Sequence, residues 1–218
     1  MERKNAWLSY GESDEKEMEK LAKDYRAFLD AGKTERECVT ELVREAEANG
    51  YVSLEAKQAA GEKIQPGDKV YAVGMKKIMA LFLVGQEPLE KGMNILGAHI
   101  DSPRLDVKQN PLYEDTDLAY LDTHYYGGVK KYQWVALPLA IHGVIAKKDG
   151  SVVNVTIGED ENDPVVYITD LLIHLASKQL QKKAAEVIEG ENFDILNGCR
   201  PLSEKSDDMK KEAVKSNV

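Results

Sequence analysis

Asn94-Ile95-Leu96-Gly97-Ala98-His99-Ile100-Asp101-Ser102-Pro103-Arg104-Leu105-Asp106 is the stretch on which the reading of this sequence turns. Its opening residues are almost continuously apolar, which predicts a strand over 94–98 buried on both faces of a helix-flanked sheet. Such a strand delivers His99 and Asp101 to its carboxyl end, where open α/β sheets place their ligand crevices. Two positions apart on an extended chain, both side chains point to the same side. A neutral imidazole is a good zinc ligand, and a carboxylate beside it can accept a hydrogen bond from the other ring nitrogen. By itself His-x-Asp is weakly specific. The plainer alternative is a hydrogen-bonded core histidine, with Asp101 as a turn residue before Ser102-Pro103.

Working toward the N-terminus, Met18, Leu21, Ala22, Tyr25, Phe28 and Leu29 recur at three- and four-residue steps, the signature of one helix face. Gly32 marks its stop. Thr34 with Glu37 three residues on is a capping box opening a second helix, whose apolar face is Cys38, Leu42, Val43 and Ala46 and whose end is Asn49-Gly50. After Pro66-Gly67-Asp68, short β-rich runs over 70–73 and 78–84 lead into the His99 segment. The first hundred residues therefore read as α/β.

Toward the C-terminus the composition shifts at about Tyr125, and Gly127-Gly128 is a natural crossing point into a second region. Runs over 135–146 and 152–157, separated by Lys147-Lys148-Asp149-Gly150, predict a hairpin. A short strand over 165–168 then leads into a predicted helix over 171–188, with Leu171, Leu172, Leu175, Leu180 and Val187 among its apolar positions. Beyond Gly198 the residues are mainly Ser, Glu, Lys and Asp, as in a solvated linker or surface helix.

Across the 218 residues, 43% are hydrophobic and 31% charged, enough apolar material for a globular core. A formal net charge of -9 argues against nucleic acid or an anionic membrane as partner, since either needs a concentrated basic face. Cys38 and Cys199 are far apart and form no paired motif, so neither a disulfide framework nor a thiolate zinc site is expected. The N-terminus lacks a signal-peptide pattern, and no apolar run approaches the roughly 20 residues that span a bilayer. A cytoplasmic location is the expectation.

Context raises the weight of His99. The run from Gly97 to Asp106, followed by Asn110-Pro111-Leu112-Tyr113-Glu114-Asp115, resembles the strand and loop that carry the first zinc ligand in the aspartyl aminopeptidase (aminopeptidase I) family. A second match runs Thr123-His124-Tyr125-Tyr126-Gly127-Gly128-Val129-Lys130-Lys131-Tyr132-Gln133-Trp134 and on through Leu137-Pro138-Leu139-Ala140-Ile141-His142-Gly143. Two long motifs in order carry the resemblance, which extends over essentially the whole chain.

What the resemblance implies is an α/β zinc-peptidase domain, here incomplete, followed by a β-rich inserted dimerisation domain. The expected division is 1–122 for the peptidase part, 123–200 for the dimerisation domain and 201–218 for a charged linker returning to the peptidase domain. It also implies removal of N-terminal, often acidic, residues from peptides by a site with two zinc ions, and dimers that build a larger homo-oligomer. His99 maps onto a metal ligand and Asp101 onto the catalytic carboxylate supporting it. His174 maps onto a histidine that reaches a neighbouring subunit's active site and stabilises the reaction intermediate; a histidine among leucines is otherwise more often structural. For His124 and His142, packing or a backbone hydrogen bond is the expectation.

The remaining family ligands have no counterpart before Val218. The sequence is therefore expected to be a truncated or partial aminopeptidase that binds zinc at most partially and has little or no activity alone. The alternative is a non-catalytic self-association or interaction module derived from such an enzyme.

Overall fold

The computed structural model describes residues 3–201 and 213–217. The chain divides into two compact units, Met1–Asp101 and Ser102–Val218.

In the first unit, helix α1 (Glu12–Ala31) and helix α2 (Glu35–Ala48) follow the apolar periodicity of the sequence. The capping box forms: Glu37 N–H donates to Thr34 Oγ1 at 3.3 Å, and Thr34 N–H donates to Glu37 Oε2 at 2.8 Å. Each bond satisfies a backbone donor that the helix start leaves open. Cys38, Val39 and Ala46 of α2 are buried, whereas α1 buries no residue and leaves Leu21, Tyr25 and Leu29 exposed. A short strand β1 (Val52–Ser53) and helix α3 (Leu54–Ala59) precede a hairpin of β2 (Lys69–Gly74) and β3 (Ile78–Leu83). Strand β1 pairs parallel to β2, giving a three-stranded sheet of order β1-β2-β3. Val70 and Tyr71 are buried, and Tyr71 Oη donates to Glu47 Oε1 of α2 at 2.7 Å, tying sheet to helix.

The strand expected over 94–98 does not form. That segment pairs with no strand among the described residues, and Ile95 and Leu96 are 80% and 101% exposed. An apolar run becomes a central strand only when neighbours supply partners for its backbone and cover for its side chains.

The second unit is built on a long hairpin that the sequence reading did not anticipate: β4 (Arg104–Asp115) and β5 (Leu118–Tyr126). Its sheet runs β4-β5-β9-β8, with β8 (Tyr167–Ile168) and β9 (Ile195–Gly198). A register shift between Val107 and Leu112 absorbs Asn110-Pro111 on the edge strand, where proline's missing N–H does least harm. Val166, Ile168, Phe193 and Ile195 form the core, with Leu105, Leu121, Trp134 and Ile141 packed around them.

The expected hairpin over the Lys147–Gly150 turn is present as β6 (Ile141–Ala146) and β7 (Val152–Ile157). Its first strand is shorter than read, because Val135 and Leu139 leave it to form isolated bridges with Ile168 and Val166. The helix expected over 171–188 is replaced by turns and one short 3-10 segment, Gln179–Gln181. The five-residue step from Leu175 to Leu180 rotates Leu180 to the opposite side of any helix, so no single face could be buried there. Of the charged tail, 202–212 lie outside the described residues. Val214 is buried, and Glu114 Oε2 accepts from the backbone N–H of Val214 at 2.9 Å and of Lys215 at 2.8 Å.

Candidate metal centre

His99 and Asp101 come together in the first unit. His99 Nδ1 lies 2.9 Å from the Asp101 backbone oxygen and 3.3 Å from its Oδ1. A carbonyl only accepts, so Nδ1 carries the proton and Nε2 keeps the lone pair that a metal uses. The imidazole is 84% exposed, which overturns the expectation of a buried strand delivering it.

Between His99 and Asp101, Ile100 is held by the Cys38 thiol of α2, with Sγ 3.4 Å from the Gly32 oxygen and 3.8 Å from that of Ile100. Burial first, and then the nearby Glu37 and Glu35, push its pKa up, so it stays a neutral thiol rather than a metal-binding thiolate. A Cβ on Gly32 would stand 2.8 Å from that sulfur, so only glycine lets the α1–α2 junction pass so close.

The other candidates are committed elsewhere. His174 sits in an exposed turn of the second unit, between Leu172 and Ala176. The His142 side chain is largely packed, 13% exposed, and its Nε2 lies 2.9 Å from Glu159 Oε1. His124 stacks on Tyr125 with ring centroids 5.2 Å apart. Asp106 pairs with Arg104 at 2.7 Å, and Glu114 accepts from the tail backbone. Among the described residues, no group of three or more His, Cys, Asp or Glu side chains could hold a metal ion. The residues present thus fit one zinc ligand and its orienting partner, not a complete zinc site.

A polar network in the second unit escaped the sequence reading. Tyr113 Oη donates to Asp194 Oδ2 at 2.8 Å, Lys108 Nζ lies 2.9 Å from Asp122, and the buried Thr123 hydroxyl donates to the Phe193 oxygen. Tyr113 and Asp194 are 81 residues apart, and no local motif signals their meeting.

A mixed α/β chain presenting an oriented His-x-Asp pair has the elements of a metallohydrolase half-site. Residues 28–218 match the aminopeptidase I zinc metalloproteases (M18), and the chain belongs to that family. It is 59% identical over 217 residues to a probable M18 family aminopeptidase 1 of Clostridium acetobutylicum, covering 100% of this chain and 46% of that relative. The crystal structure of an M18 aminopeptidase from Thermotoga maritima superposes with a TM-score of 0.87 at 44% identity, covering 100% of this chain and 45% of the other. The structure of the S. cerevisiae mApe1 dodecamer shares the fold at a TM-score of 0.62 and 21% identity, over 89% of this chain and 41% of its own. The chain therefore spans a little under half the length of these relatives.

Proposed function

We propose that this chain is the ligand-presenting and self-associating portion of a zinc aminopeptidase that removes N-terminal residues, acidic ones among them, from peptides in the cytoplasm. The observation that carries the reading is the His99–Asp101 pair: one ring nitrogen is held by the aspartate, the other left for a metal, within a motif that matches the family. In this reading His99 is a metal ligand and Asp101 fixes its tautomer. His174 serves the site of a neighbouring subunit. Residues 1–122 belong to the peptidase domain, 123–200 to an inserted dimerisation domain, and 201–218 to the return.

Zinc in such a site acidifies a bound water and polarises the peptide carbonyl, and a pair of zinc ions needs more ligands than this chain brings together. The other ligands come from sequence that the relatives have beyond the matched part. Alone, the chain holds zinc weakly and turns over little or no peptide.

One observation favours a second reading, a non-catalytic interaction module: the exposed apolar side chains of β3 and of the turn around His174 suit binding rather than chemistry. The deciding experiment assays the purified chain on acidic and neutral aminoacyl substrates with added zinc, manganese or cobalt and a chelator control. It then repeats the assay after co-expression with a polypeptide covering the rest of the Clostridium relative. Activity only in the co-expressed pair, lost in His99→Ala, supports the aminopeptidase reading. Metal-dependent turnover by the chain alone refutes the incomplete site, and inactivity of a well-formed pair favours the module.

A further inference from the structure

We infer that Cys38 is a positioning residue for His99: by holding the Ile100 carbonyl, its thiol sets the peptide plane on which the His99–Asp101 hydrogen bond depends. The inference rests on the reading of His99 as a metal ligand, and it adds a residue that lies outside the motif.

Packing does not orient the imidazole, because the ring is 84% exposed. Its direction comes from Asp101, whose backbone oxygen lies 2.9 Å from Nδ1. The backbone leading there is loosely held. From Asn94 to Ile100 it makes no backbone–backbone hydrogen bond among the described residues. A segment without helix or ladder bonds samples several conformations unless side chains pin it.

Cys38 supplies the pin. The Ile100 C=O and the Asp101 N–H belong to one planar peptide unit, so holding that oxygen fixes the plane from which Asp101 departs. The sulfur stands 3.8 Å from it and 3.4 Å from the Gly32 oxygen. Two carbonyl oxygens converge on one S–H, and burial keeps the proton on the sulfur. Cys38 is itself fixed. It is the fourth residue of α2 and only 5% exposed, and its N–H donates to the Thr34 oxygen at 2.9 Å. Order thus passes from the Thr34–Glu37 capping box through the thiol to Ile100, and from there to the ring nitrogen that carries the proton.

The plainer role of a buried cysteine is that of a small hydrophobe filling space. Two carbonyl oxygens drawn to one sulfur are what a donor accounts for and an apolar group does not.

Imidazole nitrogen NMR of the metal-free full chain tests this. The spectra are taken well above the histidine pKa, with the His99 signals identified by their loss in His99→Ala. The wild-type ring is expected to be mainly Nδ1–H. Cys38→Val fills the space without a donor and is expected to lower the ratio of Nδ1–H to Nε2–H about fivefold, the worth of one ordinary hydrogen bond. Cys38→Ser keeps a donor and restores the ratio, with far-ultraviolet circular dichroism unchanged in both variants. A wild-type ratio in Cys38→Val, or a Cys38→Ser ratio that matches Cys38→Val, overturns the positioning role. The tautomer is read without metal or substrate, so a failed co-expression assay counts against the aminopeptidase reading and leaves this result standing.

Discussion

Asp194 ties the second unit together at the expense of a buried carboxylate oxygen. Its Oδ1 is buried without a hydrogen-bond partner among the described residues, while Oδ2 accepts from Tyr113. Burial is the largest cause of its raised pKa, and neighbouring Asp122 adds to it against the lowering bond from Tyr113. A folded-state pKa above the unfolded value means the native state holds this proton more tightly. The corresponding stability is fully present below the unfolded carboxylate pKa of about 3.9 and is lost as pH rises through the folded value. The Asp194 contribution to the urea midpoint therefore falls as pH rises through the carboxylate range, opposed by Asp149, Asp160 and Glu189, whose pKa values are lowered, and Asp194→Asn, which cannot ionise, is expected to remove that fall from the profile. A profile identical in the variant rules out Asp194 as its source. Burial, and then the bond to Asp194, also raise the Tyr113 pKa, so the phenol remains a donor throughout this range. Tyr113→Phe removes that donor from a partly buried acceptor and is expected to cost about 1 kcal/mol, measured by the same denaturation.

Turns show why some elements could be read from the sequence and others could not. Helix α2 was legible because periodicity and the Thr34–Glu37 box are both local. The β4–β5 hairpin was not, because it turns at Thr116-Asp117 without a glycine or asparagine. Both residues take positive φ, 50° and 60°, where a β-branched threonine is strained. Thr116→Asn with Asp117→Gly is expected to stabilise the second unit by about 1 kcal/mol, raising the melting temperature by a few degrees. An unchanged melt would mean the strain is relieved elsewhere. In the β2–β3 turn, Met75 and Lys76 likewise take positive φ, 51° and 58°. The His99 segment failed for a different reason. Its apolar character was read correctly, but whether it is a strand depends on partners that no local pattern specifies. The meeting of His99 with Asp101 was thus legible in the sequence, while the exposure of the imidazole was not.

Ile78, Leu81, Phe82 and Leu83 of β3, Ile95 and Leu96 before His99, and Leu171, Leu172 and Ile173 beside His174 are all exposed. Apolar surface on this scale is normally covered by protein. The purified chain is accordingly expected to bind the dye 8-anilino-1-naphthalenesulfonate strongly, and to lose most of that signal on co-expression with a polypeptide covering the rest of the Clostridium relative. His99→Ala separates assembly from chemistry: the variant should assemble and suppress dye binding like wild type, yet fail to restore turnover. Dye fluorescence unchanged by the second polypeptide would mean that it does not cover these surfaces. Unchanged turnover in His99→Ala would mean that His99 is dispensable to the metal site. The first outcome removes complementation, the second removes the assigned ligand, and neither can pass for the other because one readout is area and the other is rate.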